Sequence, residues 1–267
     1  MGLSEDIDLS LSPLFLKLST VGASRNQVNK WMAKAEEACG HAVSQQIKPM
    51  LEQSVQAVLG KRESDWFEYL IDANTHSPVL LFHYPSSQPE GFDYLKRSVK
   101  LEFGSLTDQQ PTGRHSVKPW IAEVLPQAFS DWSCEVTTLE IERSFWEKVT
   151  ILHTEYHRPT DKPTPDRYSR HYADTAALAR HPVASLAIRR DDVRARVVSW
   201  KSLFFGSGWA SYETAKPNTF KLVPHESRIP DLRRDYQSMR AMYLEKPASF
   251  DEIISTLRDL EQKINSN

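Results

Sequence analysis

Two aspartates near the start of the chain, Asp6 and Asp8, are separated by a single residue. On a β-strand such residues project from one face, roughly 7 Å apart along the chain. Two carboxylates held in this way repel one another unless a positive charge neutralises them. A divalent cation does so well, because hard cations such as Mg²⁺ prefer oxygen ligands. The spacing alone is a weak signal, since most such pairs lie on solvated strand edges.

The surroundings of both aspartates predict the strand that they require. Residues 5–11 alternate polar and apolar side chains with period two, and residues 97–106 do the same. The second strand places Glu102 on the face opposite its apolar side chains. Three carboxylates on neighbouring strands would form a metal platform for phosphoryl or nucleotidyl transfer. The simpler interpretation of Glu102 is a half-buried residue on the outer face of a strand.

Two residues further along the chain could complete a phosphate site. Lys148 lies at the edge of an apolar helical stripe, where it could hold a triphosphate or reach solvent along its aliphatic stem. Asp174 has Arg170 one turn earlier, so an ion pair within one helix is its simpler role. Tyr172, between them, is of a type that more often belongs to a core than to a ligand site.

The elements that must position these residues predict an α+β fold. Further strands are expected at 77–84, near 120–125 and at 133–139, and a helix at 24–60 that Pro49 breaks or kinks. The second half is helical, with helices expected at 140–157, 168–181, 183–205, 229–244 and 249–265, and a proline-rich loop at 158–167. We therefore expect a mixed αβ domain at 1–139 and a helical domain at 140–267.

Composition excludes several classes of protein. Only 9 of 267 residues are glycine, and neither a P-loop motif nor a complete dinucleotide-binding motif occurs; Gly206-Ser207-Gly208 lacks the third glycine. The two cysteines are far apart and form no C-x-x-C motif, which argues against a disulfide framework or zinc ribbon. No apolar run reaches about 18 residues, so we expect no membrane partner and a cytoplasmic location.

Two other patterns offer competing functions. The net charge is −2, but Arg189, Arg190, Arg194, Arg196 and Lys201 cluster, and Arg228, Arg233 and Arg234 follow. A solvated helix face explains such a cluster more simply than a surface that binds polyanions. His153 and His157 have a spacing that can bind zinc on a helix, but Thr154 stands where a metalloprotease needs glutamate.

The ordered motifs resemble the AbiEii/AbiGii nucleotidyltransferase toxin family. The resemblance is carried by residues 4–10, by Glu147-Lys148, by residues 170–174, and by a C-terminal set around Leu222-Val223-Pro224, Asp235-Tyr236, Met239 and Pro247-x-Ser249-Phe250. It covers nearly the whole chain in order, and the ordered set is more specific than any one motif. It implies a DNA polymerase β-like nucleotidyltransferase fold, here a partial one with a mixed sheet, followed by a mainly helical half.

The resemblance also implies roles for individual residues. Asp6 and Asp8 would be catalytic and bind Mg²⁺ or Mn²⁺, and Glu102 matches the third carboxylate less securely. Lys148 and Asp174 would be catalytic, and the nucleotide would be bound by Ser4, Lys148 and Tyr172. The expected substrates are an NTP and an RNA, typically tRNA, or a protein acceptor. Toxin–antitoxin or phage-defence function and a cognate antitoxin are also implied.

One motif of the family is expected to be missing. The family carries a Gly-Gly-[Ser/Thr] turn roughly ten residues before its paired aspartates, where backbone N–H groups receive the triphosphate. Asp6 is the sixth residue, which leaves no room for it, so the nucleotidyltransferase domain is predicted to be N-terminally incomplete. The alternative function is therefore an inactive nucleotidyltransferase-like scaffold that binds RNA or an antitoxin.

Overall fold

The computed structural model describes residues 6–22, 24–73, 75–85, 98–130, 133–243 and 246–266. It confirms the predicted α+β class. The strands among these residues are β1 (Asp6–Ser10), β2 (Phe67–Ile71), β3 (Pro78–Phe82), β4 (Val99–Gly104), β5 (Thr112–Val117) and β6 (Cys134–Leu139). The helices are α1 (Arg25–Ala42), α2 (Lys48–Leu59), α3 (Trp120–Val124), α4 (Ile141–Tyr156), α5 (Ser169–Arg180), α6 (Val183–Ile188), α7 (Asp191–Phe204), α8 (Ile229–Ser238) and α9 (Phe250–Asn265). None of the described helices is long and apolar enough to cross a membrane.

The chain divides into two compact units, which we call the N-terminal unit, Gly2–Thr107, and the C-terminal unit, Asp108–Asn267. The two units meet at residues 107 and 108, whereas the sequence predicts a domain boundary between residues 139 and 140. That boundary marks the end of a nucleotidyltransferase-like domain and stays a prediction.

The N-terminal unit is built on a mixed four-stranded sheet in the order β1-β4-β3-β2. β1 runs parallel to β4, whereas β3 is antiparallel to both of its neighbours. β1 is thus an edge strand, and Ile7 and Leu9 remain 49% and 37% exposed. Alternation therefore predicted the faces of this strand correctly but not the degree to which its apolar face is buried.

One long helical segment supports the apolar face of this sheet. Ser24 caps α1 through a capping box with Gln27, α1 and α2 are joined by a π-helical turn at Val43–Ile47, and Pro49 lies in the first turn of α2. Proline is tolerated there because the first N–H groups of a helix have no partner within it. Gly60 ends α2 at a φ of 87°, a conformation that favours glycine. The predicted break therefore takes the form of a π-turn.

The core of the N-terminal unit lies between these helices and the sheet. Its buried side chains are Leu16, Cys39, Ala42, Val43, Trp66, Phe67, Leu80 and Phe103. Burial of this apolar set leaves the opposite face of β1 and β4 for polar side chains, which is the face that carries the candidate carboxylates.

The core of the C-terminal unit is helical and is centred on α4. The buried stripe of α4 comprises Phe145, Trp146, Val149 and Leu152, and it packs with residues from α5 to α9. The indole N–H of Trp146 donates to the carbonyl of Ala187 at 2.8 Å. Ser249 and Glu252 form a capping box at the start of α9, where the sequence predicts that a helix begins. These contacts fix α4 and α5, the helices that carry Lys148 and Asp174.

Two local predictions are wrong, and two strands were not predicted. Residues 120–124 form the short helix α3, not a strand, because β5 and β6 pair directly and α3 lies in their connection. The predicted helix at 183–205 is two helices, α6 and α7, separated at Arg189 and Arg190. Strands β2 and β5 were not predicted, because neither carries a strong alternation of apolar side chains.

The proline-rich loop at 158–167 is held by Arg228. Its guanidinium is 7% exposed and donates to the carbonyls of Pro159 and Lys162 at 2.7 and 2.9 Å and to the Thr164 hydroxyl at 2.8 Å. Because α5 begins directly after this loop, Arg228 also fixes the entry to the helix that carries Asp174.

We expect Arg228→Gln to destabilise the C-terminal unit by about 3 kcal/mol, since buried acceptors lose a charged donor. Chemical denaturation measures the loss. Arg234→Gln is the matched control, because Arg234 is 75% exposed and pairs only with a neighbouring aspartate on α8. Equal stability of the two variants would contradict this role of Arg228.

Candidate active site

The register between β1 and β4 places the predicted carboxylates on one face of the sheet. Asp8 lies beside Glu102 and Asp6 beside Lys100. Register partners in neighbouring strands project from the same face, as do alternate residues of one strand. Asp6, Asp8 and Glu102 therefore share a face, together with Lys100. We call these four residues the carboxylate face.

Lys100 already supplies a positive charge to this face. Its ammonium donates to Glu102 at 2.7 Å and to Asp72 at 3.3 Å. Burial lowers the pKa of Lys100, but the hydrogen bond and charge of Glu102, the charge of Asp6 and the hydrogen bond to Asp72 outweigh burial and raise the pKa above its ordinary value. Lys100 stays charged and compensates part of the repulsion between the carboxylates.

The carboxylate face fits a divalent cation in part. Carboxylate oxygens are suitable ligands for Mg²⁺, and Asp6 and Asp8 supply them from one strand face. Glu102 is engaged differently: one oxygen accepts from Lys100 and the other from the Thr75 hydroxyl at 3.3 Å. Within the described ranges, no three Asp, Glu, His or Cys side chains are placed to hold a metal ion. The donors that one strand face offers together are the carboxylates of Asp6 and Asp8.

Lys148 and Asp174 meet in the C-terminal unit. The Lys148 ammonium donates to an Asp174 carboxylate oxygen at 2.7 Å, which joins α4 to α5. The side chains are 30% and 48% exposed, so both groups remain accessible to solvent. The sequence favoured Arg170 as the simpler partner of Asp174; the structure instead joins two residues that the resemblance had named separately.

Tyr172 and His171, which precede Asp174 on α5, are buried and half-buried respectively. Tyr172 is 1% exposed and belongs to the hydrophobic core, which favours its simpler role, and nucleotide binding by Tyr172 stays a prediction. Burial, with the charges of Lys148 and Arg170, lowers the pKa of His171 to about 4. His171 is therefore neutral at pH 7 and does not compete with Lys148 for Asp174. Ser4 lies outside the described residues.

A buried charge network, which the sequence did not reveal, anchors α4. Arg143, 1% exposed, donates to Asp108 at 2.7 Å and to Glu147 at 2.9 Å. Arg196 donates twice to Asp108, at 2.6 and 2.8 Å. Burial raises the pKa of Asp108, but the hydrogen bonds from Arg196 and Arg143 hold it below its ordinary value. The spacing of Arg143 and Glu147, four residues apart on a helix, was the one available signal.

Most of the clustered cations have partners on the protein. Arg190 pairs with Asp192, Arg194 with Asp191, and Lys201 with Glu147. Arg233 and Arg234 pair with Asp251 and Asp231. These pairs favour the simpler interpretation of the cluster, a solvated and internally compensated helix surface.

His153 is a core histidine. It is fully buried, its Nδ1 accepts the backbone N–H of Lys221 at 3.1 Å, and its Nε2 contacts the Ser211 carbonyl at 3.2 Å and the Thr214 hydroxyl at 3.0 Å. Since Nδ1 accepts, Nε2 carries the proton. Both ring nitrogens are therefore engaged, which disfavours a zinc site shared with His157.

The comparisons with known proteins place the chain in one family. The fold and the carboxylate face define an α+β protein with an acidic pair on an edge strand of a mixed sheet. A sequence profile described as nucleotidyl transferase AbiEii toxin, type IV toxin–antitoxin system, matches residues 3–256. The chain therefore belongs to the AbiEii nucleotidyltransferase toxin family, as the motifs predicted. No curated protein and no solved structure matches it.

His153 makes stability depend on pH. Burial is the main cause that lowers its pKa to about 4, below the ordinary value of 6.5. The neutral ring stabilises the fold fully above pH 6.5, and this contribution is lost as the pH falls toward 4, because the unfolded chain takes up the proton first. Between pH 7 and pH 4.5 we expect a loss of about 2 kcal/mol from this residue alone.

The comparison of His153→Gln with the wild type checks this. Denaturation at both pH values should show a smaller loss of stability in the variant, even though the variant is less stable at pH 7. The exposed His115, replaced by Gln, is the control and should leave the wild-type pH dependence intact. An unchanged pH dependence in His153→Gln would show that another group titrates.

Proposed function

We propose that this chain transfers a nucleoside monophosphate from an NTP to an RNA, such as tRNA, or to a protein acceptor. In this proposal it acts as a toxin of a toxin–antitoxin or phage-defence system, in the cytoplasm, with Mg²⁺ or Mn²⁺. Family membership supports a nucleotidyltransferase and an antitoxin partner. Family membership does not specify the NTP or the acceptor, so both are part of our proposal.

The observation that carries the proposal is the geometry of Asp6 and Asp8. They lie at alternate positions of β1, and the register with β4 puts them on the polar face of the sheet. Asp6 and Asp8 would hold a divalent cation, which would supply positive charge against the negative charge of the phosphates during transfer. The ammonium of Lys100, whose pKa is raised, donates to Glu102. Its positive charge reduces the repulsion between the carboxylates of this face.

In the proposed reaction an acceptor hydroxyl attacks the α-phosphorus of the NTP. A new phosphorus–oxygen bond forms, the bond to the bridging oxygen breaks, and pyrophosphate leaves. Lys148 is the proposed contact for the phosphates, because its ammonium is partly exposed and compact. Asp174 holds this ammonium in place at 2.7 Å and shields it when no nucleotide is bound.

The same ion pairs support the second candidate, a scaffold without turnover. Glu102 and Asp174 each already accept from a lysine, so part of the charge that a metal and a triphosphate would neutralise is neutralised within the protein. A chain that only binds RNA or an antitoxin through a nucleotidyltransferase-like surface would need no metal ion to neutralise these carboxylates.

Label transfer separates the two functions. The chain is incubated with each α-labelled NTP, Mg²⁺ and total tRNA or total protein. We expect transfer by the wild type and its loss, by roughly a hundredfold or more, in Asp6→Asn and Asp8→Asn, since each removes charge that holds the metal. Lys148→Met should raise the KM for NTP more than it lowers kcat.

Asp161→Asn is the matched control, because Asp161 is exposed and lies in the loop before α5. It should transfer label like the wild type. Transfer that persists in Asp6→Asn and Asp8→Asn would remove these residues from the reaction. Absence of transfer with every NTP, together with tight tRNA binding, would support the scaffold.

A further inference from the structure

Two cations of the C-terminal unit differ from their neighbours. Arg233 and Arg234 on α8 each form an ion pair with a carboxylate. Arg240 and Lys246, a few residues further along, are both exposed. In the part of the chain that the structure describes, no carboxylate forms an ion pair with either of them. Their charge is thus available to a ligand.

Both cations line one cavity. It measures about 320 Å³ and lies between α8 and the start of α9. The aromatic side chains Tyr236 and Phe250 form part of its wall and are 7% and 3% exposed. Arg233 also lines it. The apolar wall excludes water from one side of a bound anion, and the exposed cations reach it from the open side.

The cavity is braced by contacts that fix its shape. The Tyr236 hydroxyl donates to the carbonyl of Ala248 at 2.8 Å, and Arg233 donates to both oxygens of Asp251 at 2.7 and 2.8 Å. The carboxylate of Glu252, the acidic group in the lining, accepts from the hydroxyl and the backbone N–H of Ser249 at 2.7 Å each. The hydrogen bonds from Ser249 lower the pKa of Glu252, and the charges of Arg180 and Lys246 lower it further. In the described part of the chain, neither Arg240 nor Lys246 is joined to a carboxylate by an ion pair.

The cavity neighbours the Lys148–Asp174 pair. The rings of Tyr236 and Tyr243 lie 5.9 Å apart, centroid to centroid. Burial raises the pKa of Tyr243 to about 12, and the charges of Tyr236 and Asp174 contribute. Tyr243 thus packs near the cavity wall at Tyr236, and the charge of Asp174 reaches it.

We propose that this cavity binds a phosphate group of a nucleotide through Arg240 and Lys246. The inference rests on the proposed function, because a transferase of nucleotides must hold a phosphate-bearing substrate near its reacting groups. Two sources share this chemistry: the phosphodiester backbone of an RNA acceptor and the polyphosphate of a free NTP. The positive charge of the cavity can bind either ligand. Because the cavity lies near Tyr243, we favour an RNA strand that continues toward Asp174.

The test measures how binding depends on salt. Binding of a fluorescein-labelled, eight-nucleotide single-stranded RNA is followed by anisotropy between 50 and 300 mM KCl, and binding of a fluorescent ATP analogue is followed in parallel. Each phosphate contact to a single strand contributes about 0.7 to the slope of log K against log salt. Arg240→Gln and Lys246→Gln should each lower that slope by about 0.7 and weaken binding severalfold.

Arg234→Gln is the matched control, because it removes the same charge from α8 outside the cavity. It should leave the slope and the affinity unchanged. Arg240→Lys should retain most of the slope, since it keeps the charge. Denaturation of each variant confirms that the fold is intact, as expected for residues with exposed side chains.

The arms of the test distinguish the sources. Weakened RNA binding with unchanged binding of the ATP analogue supports the acceptor strand as the occupant, and the reverse supports the NTP. Unchanged slopes for both ligands, or an equal effect of Arg234→Gln, would overturn the proposal. A chain carrying Asp6→Asn and Asp8→Asn should keep the wild-type slope for RNA binding, which is measured without transfer, so failure of transfer and failure of this cavity are separable results.

Discussion

In each of the two units, a lysine compensates the charge of a candidate carboxylate. Asp6, Asp8 and Glu102 share one face of the sheet, where ionised carboxylates at this spacing repel. Lys100 bonds to Glu102 and keeps a raised pKa, so part of that repulsion is removed within the protein. Lys148 does the same for Asp174 in the C-terminal unit. Asp6 and Asp8 lie at alternate positions of β1 on this face, so they are the pair that we propose as metal ligands.

Period-two alternation was sufficient to predict β1, β4 and the faces on which Asp8 and Glu102 lie, because alternation is a local consequence of strand geometry. The capping box at Ser249 was equally readable, since it depends on two residues three apart. The register that places Asp8 beside Glu102 could not be predicted from the sequence. It depends on pairing between strands more than 90 residues apart, which no local pattern encodes.

The remaining errors have the same origin in long-range contacts. Residues 120–124 carry apolar and β-branched side chains that predict a strand, but direct pairing of β5 with β6 leaves them in the connection, where they form a helix. Asp108 gave no local signal, although its bonds to Arg143 and Arg196 anchor α4 and α7. The clustered cations suggested a surface for polyanions until their partners were known. Arg240 and Lys246, which line the cavity beside α8, form no ion pair with a carboxylate in the described part of the chain.

The most direct test of this account is a Mn²⁺ titration followed by electron paramagnetic resonance, in the presence of an NTP. Mn²⁺ has the same preference for oxygen ligands as Mg²⁺. The account predicts that the wild type and Glu102→Gln bind Mn²⁺ with similar affinity, because Glu102 is held by Lys100, and that Asp6→Asn and Asp8→Asn bind it much more weakly. Wild-type affinity in Asp6→Asn and Asp8→Asn, or loss of binding in Glu102→Gln alone, would contradict it.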